Sequence, residues 1–279
     1  MISVVVATHN RAGRVAECLN SLLAQDRDDF EVIVVDDGST DETPEVLLSH
    51  ALRHPGKIRH FSSPNRGPGP ARNAAVLEAA GEWIVIADDD TVMPPDWLSR
   101  LLAAKDELRA DVVAYALEPA RLQHPAERYL HYRNLLVTGT RPRGDYIGPA
   151  FFLISRRHYQ EAGGFPSERM AAAEDYSFCQ RLRAMGLSVA FDPAITVTHH
   201  FSTDWEGVRR RVTAAAVDGA VFYHSIGRSK TRIAVWALLK WAASPLWALW
   251  AFPPDLYFKA IALEWLFFRE RFSRLMREM

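Results

Sequence analysis

Three aspartates, Asp88, Asp89 and Asp90, stand side by side directly after the apolar run IVIA. Adjacent carboxylates raise one another's proton affinity unless a cation neutralises them. Oxygen donors of this kind suit a hard ion, Mg2+ or Mn2+, which keeps some waters and takes further ligands from substrate phosphates. Residues two apart in a turn share a side, so Asp88 and Asp90 can both address such an ion or the ribose beside it, and Asp89 can take part of that task instead. Polar residues close two other apolar runs: Thr8-His9-Asn10 follows SVVVA, and Asp36-Asp37 follows FEVIVV. Asp, Asn and Gly also make turns at strand ends, which accounts for Gly38 to Asp41; five aspartates in two clusters ask for more. Glu174-Asp175 is the outstanding acidic pair of the second half. It is suited to proton abstraction, or to complementing the dipole of a helix start. His199-His200 closes another apolar run, and an imidazole there can ligate a metal or, protonated, bind phosphate.

These residues need elements to carry them. Ile2 to Ala7, Phe30 to Val35, Ile58 to Phe61 and Trp83 to Ala87 read as strands, with helical patterns between them. Strands alternating with helices predict an α/β fold with a mostly parallel sheet, helices on both faces and right-handed crossovers. Ligands of such sheets collect outside the carboxyl ends of the strands, where the aspartate clusters fall. Arg72 stands near the start of a helix expected from Pro70, where a guanidinium beside free amides would complement diphosphate; an ordinary surface arginine fits the spacing equally well. Beyond Leu117 the alternation stops, and Arg121 to Arg143 reads as a polar surface excursion. Tyr146 to Ser155, a short helix to Ala162, a helix from Glu174 closed by Gly186, short strands Val189–Asp192 and Ile195–His200, and a helix from Trp205 complete the regular part.

At 279 residues the chain suits one sizeable domain with an appendage, or two small domains. With 33 basic and 34 acidic residues, the charge balance offers no global field for nucleic acid. Cys18 and Cys179 form neither a CxxC pair nor a disulfide framework, which fits a reducing cytosol. The N-terminal MISVVVATHN has no basic leader region and reads as a first strand. The tail differs in character: residues 231–272 hold five of the eight tryptophans, and arginines 269, 271, 274 and 277 follow or end it. Lys240, Pro245 and Pro253-Pro254 interrupt it, so it lacks the roughly 20 clean apolar residues of a spanning helix. Tryptophans flanked by cations suit helices lying at a membrane surface, which would make the protein peripheral on the inner face of the cell membrane. The other reading is a helical subdomain packed on the core or on a second subunit.

In order along the chain, SVVVATHNR, FEVIVVDDGSTDET, GPGPARNAA, GEWIVIADDDTVMPPDWL, GGFPSER, AAEDYSFCQRLRAMG and VTHHF resemble family two of the glycosyltransferases, inverting enzymes of the GT-A fold. The resemblance covers about residues 1 to 201. It implies a nucleotide-binding half over residues 1–115 and an acceptor half over 116–204; beyond it, residues 205–279 read from their own pattern as a C-terminal helical segment suited to membrane association. It also implies a nucleotide-diphosphate sugar as donor, a glycan or lipid-linked acceptor, and Mg2+ or Mn2+ as cofactor. On the family's pattern Thr8, His9, Asn10, Asp37 and Arg72 hold the nucleotide, with Asp36 and Asp88 beside them, and Asp88, Asp89 and Asp90 form the metal-binding element. Asp175 would be the base and Glu174 an acceptor contact or support. His199 is the first choice for a histidine facing diphosphate and metal, with His200 in reserve, because strand alternation sends them to opposite faces. Two departures stand out: Gly148-Pro149 where many relatives carry Gly-Asn, and His9 where an aromatic often stacks on the base. A nicotinamide-dependent oxidoreductase is set aside because the turn after the first strand lacks the G-x-G-x-x-G pattern. A membrane-tethered binding subunit without turnover is the non-enzymatic alternative.

Overall fold

A computed structural model of the chain describes residues 1–138, 151–167, 174–201, 204–225 and 252–277, with scattered positions between 229 and 245. Gly148-Pro149 and most of the tryptophan-rich stretch before residue 252 lie outside the described residues. Strands β1 (Ile2–Thr8), β2 (Phe30–Asp36) and β3 (Ile58–Ser62) alternate with helices α1 (Ala12–Leu23) and α2 (Thr43–Arg53). Helix α3 (Pro68–Glu78) leads into β4 (Trp83–Asp88), the two-residue β5 (Thr91–Val92), α4 (Trp97–Leu108) and β6 (Val112–Pro119). Then come α5 (Pro125–Thr138), β7 (Phe152–Ser155), α6 (Arg156–Glu161), α7 (Glu174–Ala184), β8 (Val189–His199), α8 (Trp205–Ser225) and α9 (Tyr257–Arg277).

The strands form one sheet in the order β3-β2-β1-β4-β7-β6-β8-β5. The first four run parallel, as the alternation predicts, and β6 pairs in parallel with β8. Strand β7 is antiparallel to both of its neighbours, and β5 is antiparallel to β8, so the whole is a mixed sheet. The central strands are apolar on both faces because helices cover both. Val4, Val6, Val32, Val34 and Val85 pack against Val15, Leu19 and Leu22 of α1, Leu47 of α2 and Trp97 and Leu101 of α4. Val5, Ile33, Val35, Ile84 and Ile86 face Ala71 and Ala75 of α3, Tyr159 of α6 and Phe178 and Leu182 of α7. Alternate residues of one strand thus serve two separate apolar layers.

The described residues fall into two compact units, one drawn from 1–120, 151–167 and 174–200, the other from 121–138 and from 201 onward. In the second unit Ala126, Tyr129 and Leu130 of α5, Val208 and Val212 of α8, and Phe252, Leu256, Ala260 and Leu263 share one apolar cluster. No helix among the described residues is long and apolar enough to cross a membrane.

Three local expectations change. Of the polar stretch from Arg121 to Arg143, Pro125–Thr138 is not a surface excursion but helix α5, in which Ala126, Tyr129 and Leu130 recur at helical spacing between the arginines and are buried; residues 139–143 lie outside the described residues. The two short strands before His200 are one strand, β8, whose register against β6 shifts between Tyr115 and Ala116, as a bulge does. Helix α3 begins at Pro68, so Arg72 lies in its second turn. Pro68 and Pro70 bring no amide hydrogens to the helix start, which removes most of the anion-binding amides expected there.

Candidate active site

Strand register gathers the polar ends. Thr8 pairs with Asp36, Ala7 with Asp88, and Thr91 with His199, so the termini of β1, β2, β4 and β8 line one side of the sheet. The turn after β4 is fixed by its own backbone: the Thr91 hydroxyl donates to the Asp88 carbonyl at 2.7 Å, and the His200 amide donates to the Asp90 carbonyl at 3.0 Å.

Within the cluster the aspartates are answered by arginines from two different elements. Arg11, at the cap of α1, places one guanidinium nitrogen, Nη1, 2.8 Å from Asp89 Oδ1 and 2.8 Å from Asp90 Oδ2. Asp89 also accepts from the Thr8 hydroxyl at 2.7 Å. Burial pushes the Asp89 carboxyl up to about 6 against the pull of Arg11, and repulsion from Asp90 adds to the rise. Asp89 in turn, with Asp90, drives the Arg11 pKa above its ordinary value. Arg72 is buried and answers Asp88: its Nη2 lies 2.6 Å from Asp88 Oδ1, while its Nη1 lies 3.2 Å from Oε1 of Glu174 at the start of α7. Burial opposes the charge on Arg72, and Asp88 and Glu174 more than offset it, with Asp175 contributing.

The nucleotide-binding candidates sit on the same rim and are latched together. Asp37 is buried and accepts from the Ser63 hydroxyl at 2.6 Å and from the amides of Arg66 and Gly67 at 2.9 and 2.7 Å. It thereby fixes the loop that enters α3. Asp36 accepts from the Ser39 amide at 3.0 Å. Gly38 takes φ of +79° in this turn, and a side chain there would meet the Asn65 amide at 3.1 Å. Asn10 has φ of +51°, and its side-chain oxygen accepts from the Thr40 amide at 2.7 Å. His9 Nδ1 lies 3.0 Å from the Asp37 carbonyl, which can only accept, so His9 carries its proton on Nδ1. Its Nε2 then accepts from the side-chain amide of Asn10 at 3.3 Å.

The two histidines part as alternation predicts. His199 is buried, with Nε2 3.4 Å from Asp90 Oδ1, whereas His200 turns to Glu17 of α1 at 3.1 Å. Side-chain contacts thus form two groups, Thr8, Arg11, Asp89, Asp90 and His199 in one and Asp88, Arg72 and Glu174 in the other, linked along the chain by the consecutive residues Asp88 and Asp89. Asp175 occupies the first turn of α7 next to Glu174. Among the described residues no set of three or more His, Cys, Asp and Glu side chains gathers as a metal site would. The two arginines supply a physical reason, since each carboxylate of the cluster is turned toward a guanidinium. In kind, the donors fit a divalent ion: a buried carboxylate and an imidazole nitrogen stand in contact at Asp90 and His199.

Arg11 is the residue that motif spacing missed. Three carboxylates in a row demand counter-charge, and in a parallel sheet the loop after β1 lies beside the loop after β4. The nearest basic side chain in that loop is Arg11, so charge balance combined with topology was the available signal. Asn73 was missed too. Its Oδ1 accepts from the Tyr159 hydroxyl at 2.7 Å and the Phe165 amide at 2.8 Å, and its Nδ2 donates to the Phe165 carbonyl at 2.8 Å. This pins the Gly163-Gly164-Phe165 turn to α3.

The family model described as Glycosyl transferase family 2 matches residues 3–163. The chain is 37% identical over 216 residues to the succinoglycan biosynthesis protein ExoO of Rhizobium meliloti, covering 71% of this chain and 60% of that one. It is 28% identical over 225 residues to the poly(ribitol-phosphate) beta-N-acetylglucosaminyltransferase TarS of Staphylococcus aureus, covering 79% of this chain and 38% of TarS. The chain thus spans less than two thirds of either curated relative. Among solved structures, the mannosyltransferase PcManGT of Pyrobaculum calidifontis, in complex with GDP-Man and Mn2+, is similar with a TM-score of 0.69 at 21% identity, covering 100% of this chain and 88% of that one. TarS 1–349 in complex with UDP-GlcNAc is similar with a TM-score of 0.59 at 19% identity, covering 99% and 91%. These neighbours are GT-A glycosyltransferases, and the fold described above is theirs. With the ends of β1, β2 and β4, the aspartate cluster and α3 inside the matched segment, which is more than half of the chain's length, the chain belongs to glycosyl transferase family 2.

Proposed function

We propose that this chain transfers a hexosyl or deoxyhexosyl group, with inversion, from a nucleotide-diphosphate sugar to an acceptor hydroxyl on a glycan or lipid-linked glycan. The observation that carries this reading is Arg72, which joins Asp88 at the strand ends to Glu174 at the start of α7 and so ties a diphosphate-type site to an acidic helix end. Two of the similar proteins bind nucleotide sugars, PcManGT GDP-Man and TarS UDP-GlcNAc, which supports a nucleotide-sugar donor. The names of ExoO and TarS support a place in cell-surface polysaccharide assembly.

In this reading Thr8, His9, Asn10, Asp36 and Asp37 form the rim that takes base and ribose. Asp175 removes the acceptor proton as the acceptor oxygen attacks the anomeric carbon, and the bond to diphosphate breaks on the opposite face. Glu174 and Arg72 hold the first turn of α7 so that Asp175 faces the acceptor. Asp90 and His199, with Asp88 and Asp89, would hold Mg2+ or Mn2+, and such an ion supplies charge neutralisation for the departing diphosphate. The outer face of α9 supports peripheral contact with the inner face of the cell membrane: Phe258, Trp265 and Phe272 recur every seven residues and are exposed.

The test is donor turnover without acceptor. Nucleotide-sugar hydrolysis stimulated by Mn2+ is expected in the unaltered protein. Asp175→Asn should lose it by at least about a hundredfold, the size of general-base catalysis, while keeping the thermal shift on UDP or GDP. Nucleotide binding without any turnover in the unaltered protein would favour a binding subunit, and full activity in Asp175→Asn would remove the base from Asp175.

A further inference from the structure

Arg11 has no role in the reading above, yet it is the charge nearest two of the proposed cation ligands. Its backbone is fixed: the Arg11 amide donates to the Thr43 hydroxyl at 3.0 Å, and its carbonyl accepts from the Val15 amide at 2.9 Å, so the side chain leaves a rigid cap. From there a single nitrogen reaches both Asp89 and Asp90 at 2.8 Å. Asp89 is held from its other side by Thr8, and Asp90 stands against His199. The two arginines of the cluster differ in one respect that matters. The Arg72 side chain is 6% exposed and clamped between two carboxylates, whereas the Arg11 side chain is 46% exposed. Arg11 can therefore swing into water without opening a buried void or stranding its own charge, and Arg72 cannot.

We propose that Arg11 is a displaceable internal counter-cation: it holds Asp89 and Asp90 in register in the resting protein and gives up Asp90 when a divalent ion arrives. Guanidinium and metal ion then compete for one carboxylate, and Arg11 sets how weakly the ion binds before donor is present. A half-exposed guanidinium is a modest competitor, so its removal should tighten ion binding by about tenfold. This inference rests on the cation reading of the site, and the experiment separates the two.

Mn2+ is titrated into the full chain without nucleotide, following loss of the free-ion EPR signal and, in parallel, the thermal shift. Arg11→Gln should bind Mn2+ about tenfold more tightly than the unaltered protein, with Arg11→Lys between them. Asp90→Asn in the Arg11→Gln background should abolish the gain. If Arg11→Gln unfolds from repulsion between Asp89 and Asp90, Mn2+ should raise its melting temperature by more than it raises that of the Arg11→Lys variant; an equal rise would count against the proposal. Unchanged or weaker Mn2+ binding in folded Arg11→Gln overturns the competition. Failure of every variant to bind Mn2+, even with UDP or GDP, overturns the cation reading itself.

Discussion

Arg72 meets two partners of unequal burial, Asp88 with a side chain 23% exposed and Glu174 at 11%. Breaking a buried pair from one side is costly because it leaves an uncompensated charge. Arg72→Ala should therefore lower stability in urea by about 3–5 kcal/mol. Glu174→Gln, which keeps the shape and removes one charge, should cost about 1–2 kcal/mol. The double variant should be more stable than the sum predicts, with a coupling of about 1–3 kcal/mol, because the neutral amide no longer needs the guanidinium. Strict additivity would mean that the ion pair does not tie α3 to α7. At this scale the sequence spoke unevenly. Asp88, Asp89, Asp90, Glu174 and Asp175 announce themselves as runs of like charge, and turn chemistry or a helix dipole accounts for single members of such runs more readily than for the whole. Arg11 and Asn73 are single polar residues whose importance comes from a neighbour far along the chain, and spacing alone carries no trace of that.

Among the elements, the amino-terminal ends of the parallel strands are held by one carboxylate. Glu31 of β2 accepts from the Ser3 hydroxyl of β1 at 2.6 Å, from the Ala80 amide at 2.7 Å and from Arg59 of β3 at 3.1 Å. Gly81 completes the knot by donating its amide to the Ser3 hydroxyl at 2.9 Å. Burial works against the Glu31 charge, but these donors outweigh it and hold its pKa below the ordinary 4.5. Because the folded value is the lower one, Glu31 stabilises the fold above pH 4.5 and ceases to do so as the pH falls through its depressed value. Glu31→Gln should thus lose about 1–3 kcal/mol at pH 7, with the gap to the unaltered protein closing below pH 4.5 in denaturant titrations. A gap independent of pH would assign the loss to packing instead. The strands of this region were legible because β-branched runs bounded by turn residues have few other solutions. Helix α5 was not, since arginines dilute its apolar stripe, and the β8 bulge was not, since only pairing with β6 shows it.

Taken as a whole molecule, the near-neutral composition says little about where the chain works, and the surface of the second unit says more. Helix α9 buries Ala260 and Leu263 in the cluster with α5 and α8, while Phe258 is 81% exposed and Trp265 50%. A seven-residue spacing returns nearly to the same side of a helix, so Phe258, Trp265 and Phe272 form one aromatic stripe, with Arg269 on the same exposed side. A stripe of that kind inserts at the headgroup boundary of a bilayer without spanning it, and the nearby cations favour anionic lipid. The membrane reading therefore predicts cosedimentation with phosphatidylglycerol-containing vesicles, weaker with purely zwitterionic ones and reduced by salt. Replacing Phe258, Trp265 and Phe272 by Ser should cut partitioning by at least about tenfold, because each aromatic contributes roughly 1.5–3 kcal/mol when fully buried. The same variant should keep its thermal shift on nucleotide, since every donor-site residue named above belongs to the first unit. Vesicle binding undiminished in the triple variant would move the contact elsewhere on the chain. Loss of nucleotide binding along with it would show instead that the stripe is needed for the fold, as a helix packed on protein would require.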